Sequence, residues 1–156
     1  MAAVIVAVLF LISGFIFGSM LMAHILGEKA AYYKQLADKH LEIMDVFKHW
    51  LMMLDNGRSI EAYFIENSYK TIAIYGMGYL GECLLKGLSG TGIEVKYVID
   101  QQYHSVDGEI SVVSMNDTLE SVDVIIVTPI YYFYSIKKQL KERTANEIIS
   151  IEDIFR

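Results

Sequence analysis

Ile72-Ala73-Ile74-Tyr75-Gly76-Met77-Gly78-Tyr79-Leu80-Gly81 decides how the chain is read. An apolar run, hydrophobic on both faces as an interior parallel strand should be, enters a Gly-x-Gly-x-x-Gly turn. A helix-forming stretch over 79–87 follows. In this pattern Gly76 permits the tight turn, Gly78 lets backbone approach a phosphate, and Gly81 permits close packing of helix on strand. The backbone around Met77, Tyr79 and Leu80 then faces the ligand with the positive end of the helix dipole. Nineteen residues after Gly81, Asp100 closes a second apolar run, 95–99. A carboxylate there can accept hydrogen bonds from a ribose diol, so the parts stand in the order of a dinucleotide-binding βαβ unit.

Beyond Asp100 the apolar runs continue at short intervals. Residues 110–113, 123–127 and 147–151 read as further strands, 115–120 as a short turn or helix, and 130–143 as a helix. With right-handed crossovers the five strands, the first at 71–75, order as 3-2-1-4-5. The tip of the fourth strand then lies beside the glycine turn, at the switch point of the sheet. That makes Thr128 and Pro129 candidate pocket walls. The aromatic cluster Tyr131-Tyr132-Phe133-Tyr134 suits packing on the sheet or stacking on a base, and packing is the favoured reading. The polar loop after Asp100 carries His104.

Upstream, the chain changes character. Residues 2–26 contain no Lys, Arg, Asp or Glu. Twenty-five helical residues span about 37 Å, enough to cross a ~30 Å hydrocarbon core. A cleaved signal peptide fits less well, because no basic segment precedes the run and no small-residue cleavage site follows it. Lys29, Lys34 and Lys39 follow the run and none precedes it, so the C-terminal part is expected in the cytoplasm. Gly14 and Gly18 form a small-xxx-small pair of the kind that can join two such helices.

Residues 27–57 continue as an amphipathic helix ending at Asp55-Asn56-Gly57. Tyr33, Leu36, His40, Ile43, Phe47, Trp50 and Leu54 fall at alternating spacings of three and four. This seam suits either a parallel coiled coil with a second copy or packing on the chain's own domain; a homo-oligomer through 29–54 is the favoured reading. Ala37, Leu41, Met44, Lys48 and Leu51 form a second stripe. Ser59 caps a further short helix over 60–66.

Composition narrows the functional classes. The chain has 156 residues, 54% of them hydrophobic, and a formal net charge of −6. That balance speaks against nucleic acid as a partner, since such binding needs a basic face to displace counterions. One cysteine, Cys83, allows no intrachain disulfide. No metal-ligating spacing and no catalytic constellation appear. Tyr134 and Lys138 have the spacing of a short-chain dehydrogenase pair, but they follow the fourth strand and lack an upstream serine. Tyr131, Tyr132 or His104 would be the acid–base candidates of an oxidoreductase.

Taken together, Tyr-Gly-Met-Gly-Tyr-Leu-Gly (75–81) after Lys-Thr-Ile-Ala-Ile, then Val-Ile-Asp (98–100), the Val-Thr strand end (127–128) and Ile-Ile-Ser-Ile-Glu-Asp-Ile (148–154) carry a resemblance. This part of the chain, 59–156, resembles the small Rossmann-like domains of bacterial polysaccharide-biosynthesis proteins, which accompany sugar-nucleotide-modifying or sugar-transferring modules. The resemblance implies an α/β fold that binds NAD or a nucleotide sugar, with Gly76, Gly78, Gly81 and Asp100 at matching positions. It departs in two ways: the catalytic module is absent, and a membrane helix takes its place. The expected organisation is therefore a transmembrane helix (1–26), an amphipathic connecting helix (27–57) and a minimal Rossmann-like domain (58–156). The expected function is a membrane-anchored, cytoplasm-facing nucleotide-binding module that serves an envelope-biosynthesis enzyme. The alternatives are a small NAD-dependent oxidoreductase or isomerase and a non-binding oligomeric membrane scaffold.

Overall fold

A computed structural model describes residues 1–101 and 110–155. His104 and most of the polar loop around it lie outside the described residues. The chain divides into two compact units, Met1–Leu41 and Glu42–Arg156.

The first unit consists of the N-terminal part of one continuous helix, α1 (Ala2–Asp55). Its 18-residue apolar window is long enough to cross a membrane, and none of it is buried by the rest of the chain. An N-terminal signal sequence would meet the same criteria of length and composition. The Ser13 and Ser19 hydroxyls turn back onto the carbonyls of Phe10 (3.0 Å) and Ile16 (2.9 Å). These polar groups are thereby satisfied within the helix, as an apolar surrounding demands.

The second unit is α/β. Its five parallel strands are β1 (Thr71–Tyr75), β2 (Glu94–Ile99), β3 (Ser111–Val113), β4 (Val124–Val127) and β5 (Glu147–Ser150). They lie in the order β3-β2-β1-β4-β5, as the right-handed crossovers predict. Side chains alternate between two cores. Ile72, Ile74, Val98, Val124 and Ile126 point to one face, where α2 (Ile60–Glu66) contributes Phe64 and α3 (Tyr79–Leu88) contributes Leu80, Leu84 and Leu88. Ala73, Tyr97, Ile99, Ile125 and Val127 point to the other, where α4 (Phe133–Lys141) adds Ile136 and Leu140.

The end of α1 belongs to the first of these cores. Val46, Trp50 and Met53 are buried there, with Ile43 and Phe47 packed against them. Trp50 stacks on Phe155 at 4.9 Å between ring centroids. It also closes onto α3 at Gly87, where an added Cβ would meet Cζ2 of Trp50 at 3.1 Å and Cδ1 of Ile60 at 2.9 Å. Ile43, Phe47 and Trp50 of the predicted seam are thus used within the folded unit, together with Val46 and Met53, which the heptad spacing did not select. Met44 and Leu51 of the second stripe stay 65% and 66% exposed.

Helix ends follow local chemistry. Gly57 (φ 73°) takes the left-handed position after α1, and Arg58 N–H returns to Met53 O at 3.1 Å. Ser68 (φ 61°) does the same after α2, with Tyr69 N–H on Phe64 O at 2.8 Å. The helix expected over 130–143 begins later than its apolar pattern suggests. Residues Ile130–Tyr132 form a 3-10 turn as the chain leaves Pro129, and α4 starts at Phe133. A second 3-10 turn, Ile151–Ile154, is closed by a capping box between Ser150 and Asp153.

At the N-terminal edge of the sheet, Asp123 ties β4 to β1. Its Oδ2 accepts from Lys70 N–H (2.8 Å), Thr71 N–H (2.8 Å) and the Thr71 hydroxyl (3.0 Å). The Thr71 and Lys70 amides, aided by the hydroxyl, hold this carboxyl below its ordinary 3.8. A depressed carboxyl contributes stability that is fully present above its unfolded-state pKa and lost as pH falls through the folded value. Asp123→Asn is therefore expected to lower the urea midpoint at pH 7, read by fluorescence of the single tryptophan, Trp50. The difference should begin to shrink as pH falls below about 3.8 and close only as pH passes through the lower folded-state value. A constant difference across that range would contradict the assignment.

Candidate functional site

The glycine turn leaves β1 at Tyr75 and is held from both neighbouring strands. Gly76 N–H donates to Ile99 O (2.9 Å), and Thr128 N–H donates to Tyr75 O (3.0 Å). The Thr128 hydroxyl donates to Gly76 O at 2.7 Å. Met77 N–H donates to the Asp100 carboxylate at 2.8 Å. Asp100 itself is fixed by its own N–H on Val113 O (3.1 Å). The tips of β1, β2, β3 and β4 are thus joined through the turn.

The three glycines differ in what they do. Gly76 has φ +91°, and a Cβ there would lie 2.9 Å from Cδ and Cγ of Pro129. Gly81 faces the Gly76 carbonyl, and a Cβ would collide with that oxygen. Gly78 has ordinary extended geometry (φ −72°, ψ −169°), and a Cβ on it would meet nothing within 4 Å. The first two are therefore required by the turn and by the helix–strand approach. The third leaves open space in front of the start of α3, where Gly78 is the N-cap and, as a glycine, supplies no side-chain cap of its own.

The other predicted residues separate in the same way. Met77 and Leu80 bury their side chains in the core, so only their backbone belongs to the turn. Tyr79 is 72% exposed. Asp100 is half-buried, and one of its carboxylate oxygens accepts from the Met77 amide, so it supports the turn. Thr128 is buried, with its hydroxyl committed to the Gly76 carbonyl, and acts as a latch where the sequence suggested a pocket wall. Pro129 presses on Gly76. A threonine at a strand tip carries no sequence signal of this role; only the β1–β4 pairing, Tyr75 opposite Val127, reveals it.

The packing expected of the aromatic cluster holds for Phe133 alone, which is packed in the second core. Tyr131, Tyr132 and Tyr134 are exposed. Below the turn, burial and, secondarily, the Asp100 charge raise the Tyr75 phenol above 10, so it stays protonated at neutral pH. Its hydroxyl lies 3.6 Å from Sδ of Met115. Among the described residues no group of three His, Cys, Asp or Glu side chains is placed to hold a metal ion. His24 and His49 pair instead with Glu28 and Asp45 one turn away on α1, each at 3.4 Å.

Comparison of the chain with protein-family models, curated proteins and solved structures finds no match.

The glycine roles are separable by substitution. Gly76→Ala and Gly81→Ala should each cost about 2 kcal/mol or more, from positive φ and from a backbone clash. Gly78→Ala should stay within about 0.5 kcal/mol of wild type in urea unfolding read by Trp50. A loss at Gly78 equal to that at Gly81 would show that the open space is not there.

Proposed function

We propose that the chain is a membrane-anchored, cytoplasm-facing module that binds a nucleotide or nucleotide sugar, NAD-like or UDP-sugar-like, on a Rossmann-like domain. One observation carries the reading. The N-cap of α3 is Gly78, which supplies no side-chain cap and has open space before it, and the Asp100 carboxylate at the tip of β2 meets the adjoining Met77 amide. The amides and dipole of a helix start favour a phosphate, and a carboxylate in that place suits a ribose diol. The resemblance to polysaccharide-biosynthesis domains supports an accessory or regulatory role for an envelope-biosynthesis enzyme.

A binding role is favoured over an enzymatic one. Tyr134, the tyrosine of the dehydrogenase-like spacing, is 86% exposed. Binding is tested by thermal shift and calorimetry on the full-length protein in detergent micelles with NAD, ADP and UDP-glucose. Wild type should bind at least one of them, and Gly78→Val should weaken that binding more than 10-fold by filling the phosphate approach. Absence of binding to all of them by wild type would end the proposal.

The membrane part of the reading rests on the unburied apolar window of α1 and on the lysines that follow it. In a Cys83→Ser background, Lys39→Cys should react with a membrane-impermeant maleimide only after cell lysis, and Ala3→Cys before it. An N-terminally shortened mature chain would instead identify a signal sequence. A homo-oligomer through 29–54 is part of the same proposal, supported by the exposure of Met44 and Leu51 on the stripe that packing leaves unused.

A further inference from the structure

Residues 1–31 contain no tyrosine and no tryptophan. The first tyrosines of the chain, Tyr32 and Tyr33, stand together shortly past the charge-free run that ends at Leu26. Both lie on α1 within the first unit and stay exposed, 62% and 64%. Their rings meet edge to face at 5.6 Å between centroids. Lys29 precedes them by three and four residues, so its ammonium and the two rings share one face of the helix.

Depth decides what that face meets. With Leu26 at the hydrocarbon edge, the Tyr32 backbone lies about 9 Å further along the helix. Helical side chains lean toward the N-terminus and cover the preceding turn, which returns the rings by about 5 Å. They then fall within the ~5–7 Å interfacial layer between hydrocarbon and water. Tyrosine suits that layer because its ring is apolar and its hydroxyl is not. A lysine beside it can lay its stem along apolar surface and place its ammonium among headgroup phosphates. The carboxylate at this depth, Glu28, lies 3.4 Å from His24 and so has a partner on its own helix, as a charge near hydrocarbon requires. Past the pair the chain turns polar, with Lys34, Gln35 and Asp38.

We propose that Tyr32 and Tyr33, with Lys29, form the girdle that seats α1 in the lipid headgroup layer at the C-terminal end of its apolar run. The occupant of this face is lipid. The phenol hydroxyls and the ammonium meet phosphate and ester oxygens, and the rings lie on the first acyl carbons. The inference rests on the membrane-anchored reading and deepens it by stating where on the helix the membrane ends.

The test uses full-length protein in phosphatidylcholine vesicles whose acyl chains carry bromine, a fluorescence quencher, near either the ester or the terminal methyl. Tryptophan is introduced at one position at a time, and the signal of the buried Trp50 is subtracted with wild type. Tyr32→Trp and Tyr33→Trp should each be quenched more by ester-end than by methyl-end bromine. Phe15→Trp, near the middle of the run, should show the reverse order. Leu41→Trp, about four turns past Leu26, should be quenched by neither. Adding Tyr32→Ala and Tyr33→Ala to Phe15→Trp should lower its ratio of methyl-end to ester-end quenching, because a helix freed from its girdle shifts in depth. An unaltered ratio overturns the girdle, since the tyrosines then do not seat the helix. Sparing of both tyrosine positions while Phe15→Trp is quenched also overturns it and leaves the membrane span standing; a second copy of α1 covering the rings would give that result. Stronger methyl-end quenching at the tyrosine positions overturns it by placing the rings in hydrocarbon. If both lipids spare Phe15→Trp, the membrane-anchored reading falls together with the girdle.

Discussion

The close approach of α3 to the carbonyl of Gly76 is the constraint on which the C-terminal end of the sheet depends. A side chain at Gly81 would strike that oxygen, so the first turn of the helix can sit directly above the tip of β1 only with glycine there. The same carbonyl receives the Thr128 hydroxyl. One backbone oxygen is thus the meeting point of β1, β4 and α3, and positive φ at Gly76 is what aims it there. Loosening any member would move the helix terminus relative to the strand tips.

From this follows the division of labour around the turn. Asp100, tethered to the Met77 amide, stiffens the loop from the β2 side while Thr128 does so from the β4 side. Gly78, between the two clamps, is left with neither a clash nor a cap. Such an arrangement pre-organises backbone donors around an open position, which is how a helix terminus is made ready for an anion without reorganisation on binding. At the opposite edge Asp123 binds β1 to β4 by a different device, a side-chain carboxylate on consecutive amides. The central strand pair is therefore fixed at both ends.

Much of this was legible because it is local. The strand–glycine–helix order, the left-handed Gly57, the 60–66 helix and the spacing to Asp100 all depend on residues near one another in sequence, and the right-handed crossover rule turns the strand list into an order. What escaped is long-range. The Asp123 clamp, the Thr128 latch and the Trp50–Phe155 stack join residues 52 or more positions apart, and no periodicity announces them. The heptad pattern of α1 was real but ambiguous. Gly87, which admits Trp50 and Ile60, decides that part of the seam is spent on the chain's own core. The aromatic cluster misled for a similar reason, because a 3-10 turn after Pro129 changes the direction in which consecutive side chains point.

The charge of the chain bears on what such a crevice can select. Segments 76–81, 100–101 and 128–132, which form the strand tips, contain no lysine or arginine. One carboxylate, Asp100, already stands on the Met77 amide, so among the described residues of these segments a phosphate of the proposed ligand would meet the first turn of α3 and its dipole. A helix dipole contributes ~0.3–1 kcal/mol per charge at an exposed site, with ~2 kcal/mol as its upper range, far below what micromolar binding requires. For the proposed site, phosphate alone would therefore be a weak ligand. Under the proposed reading, affinity for a nucleotide would come mainly from its parts that lie away from the phosphate, such as a ribose diol beside the Asp100 carboxylate. Strand-tip segments without lysine or arginine fit the proposed site if it reads the nucleoside and uses the phosphate chiefly to set its position.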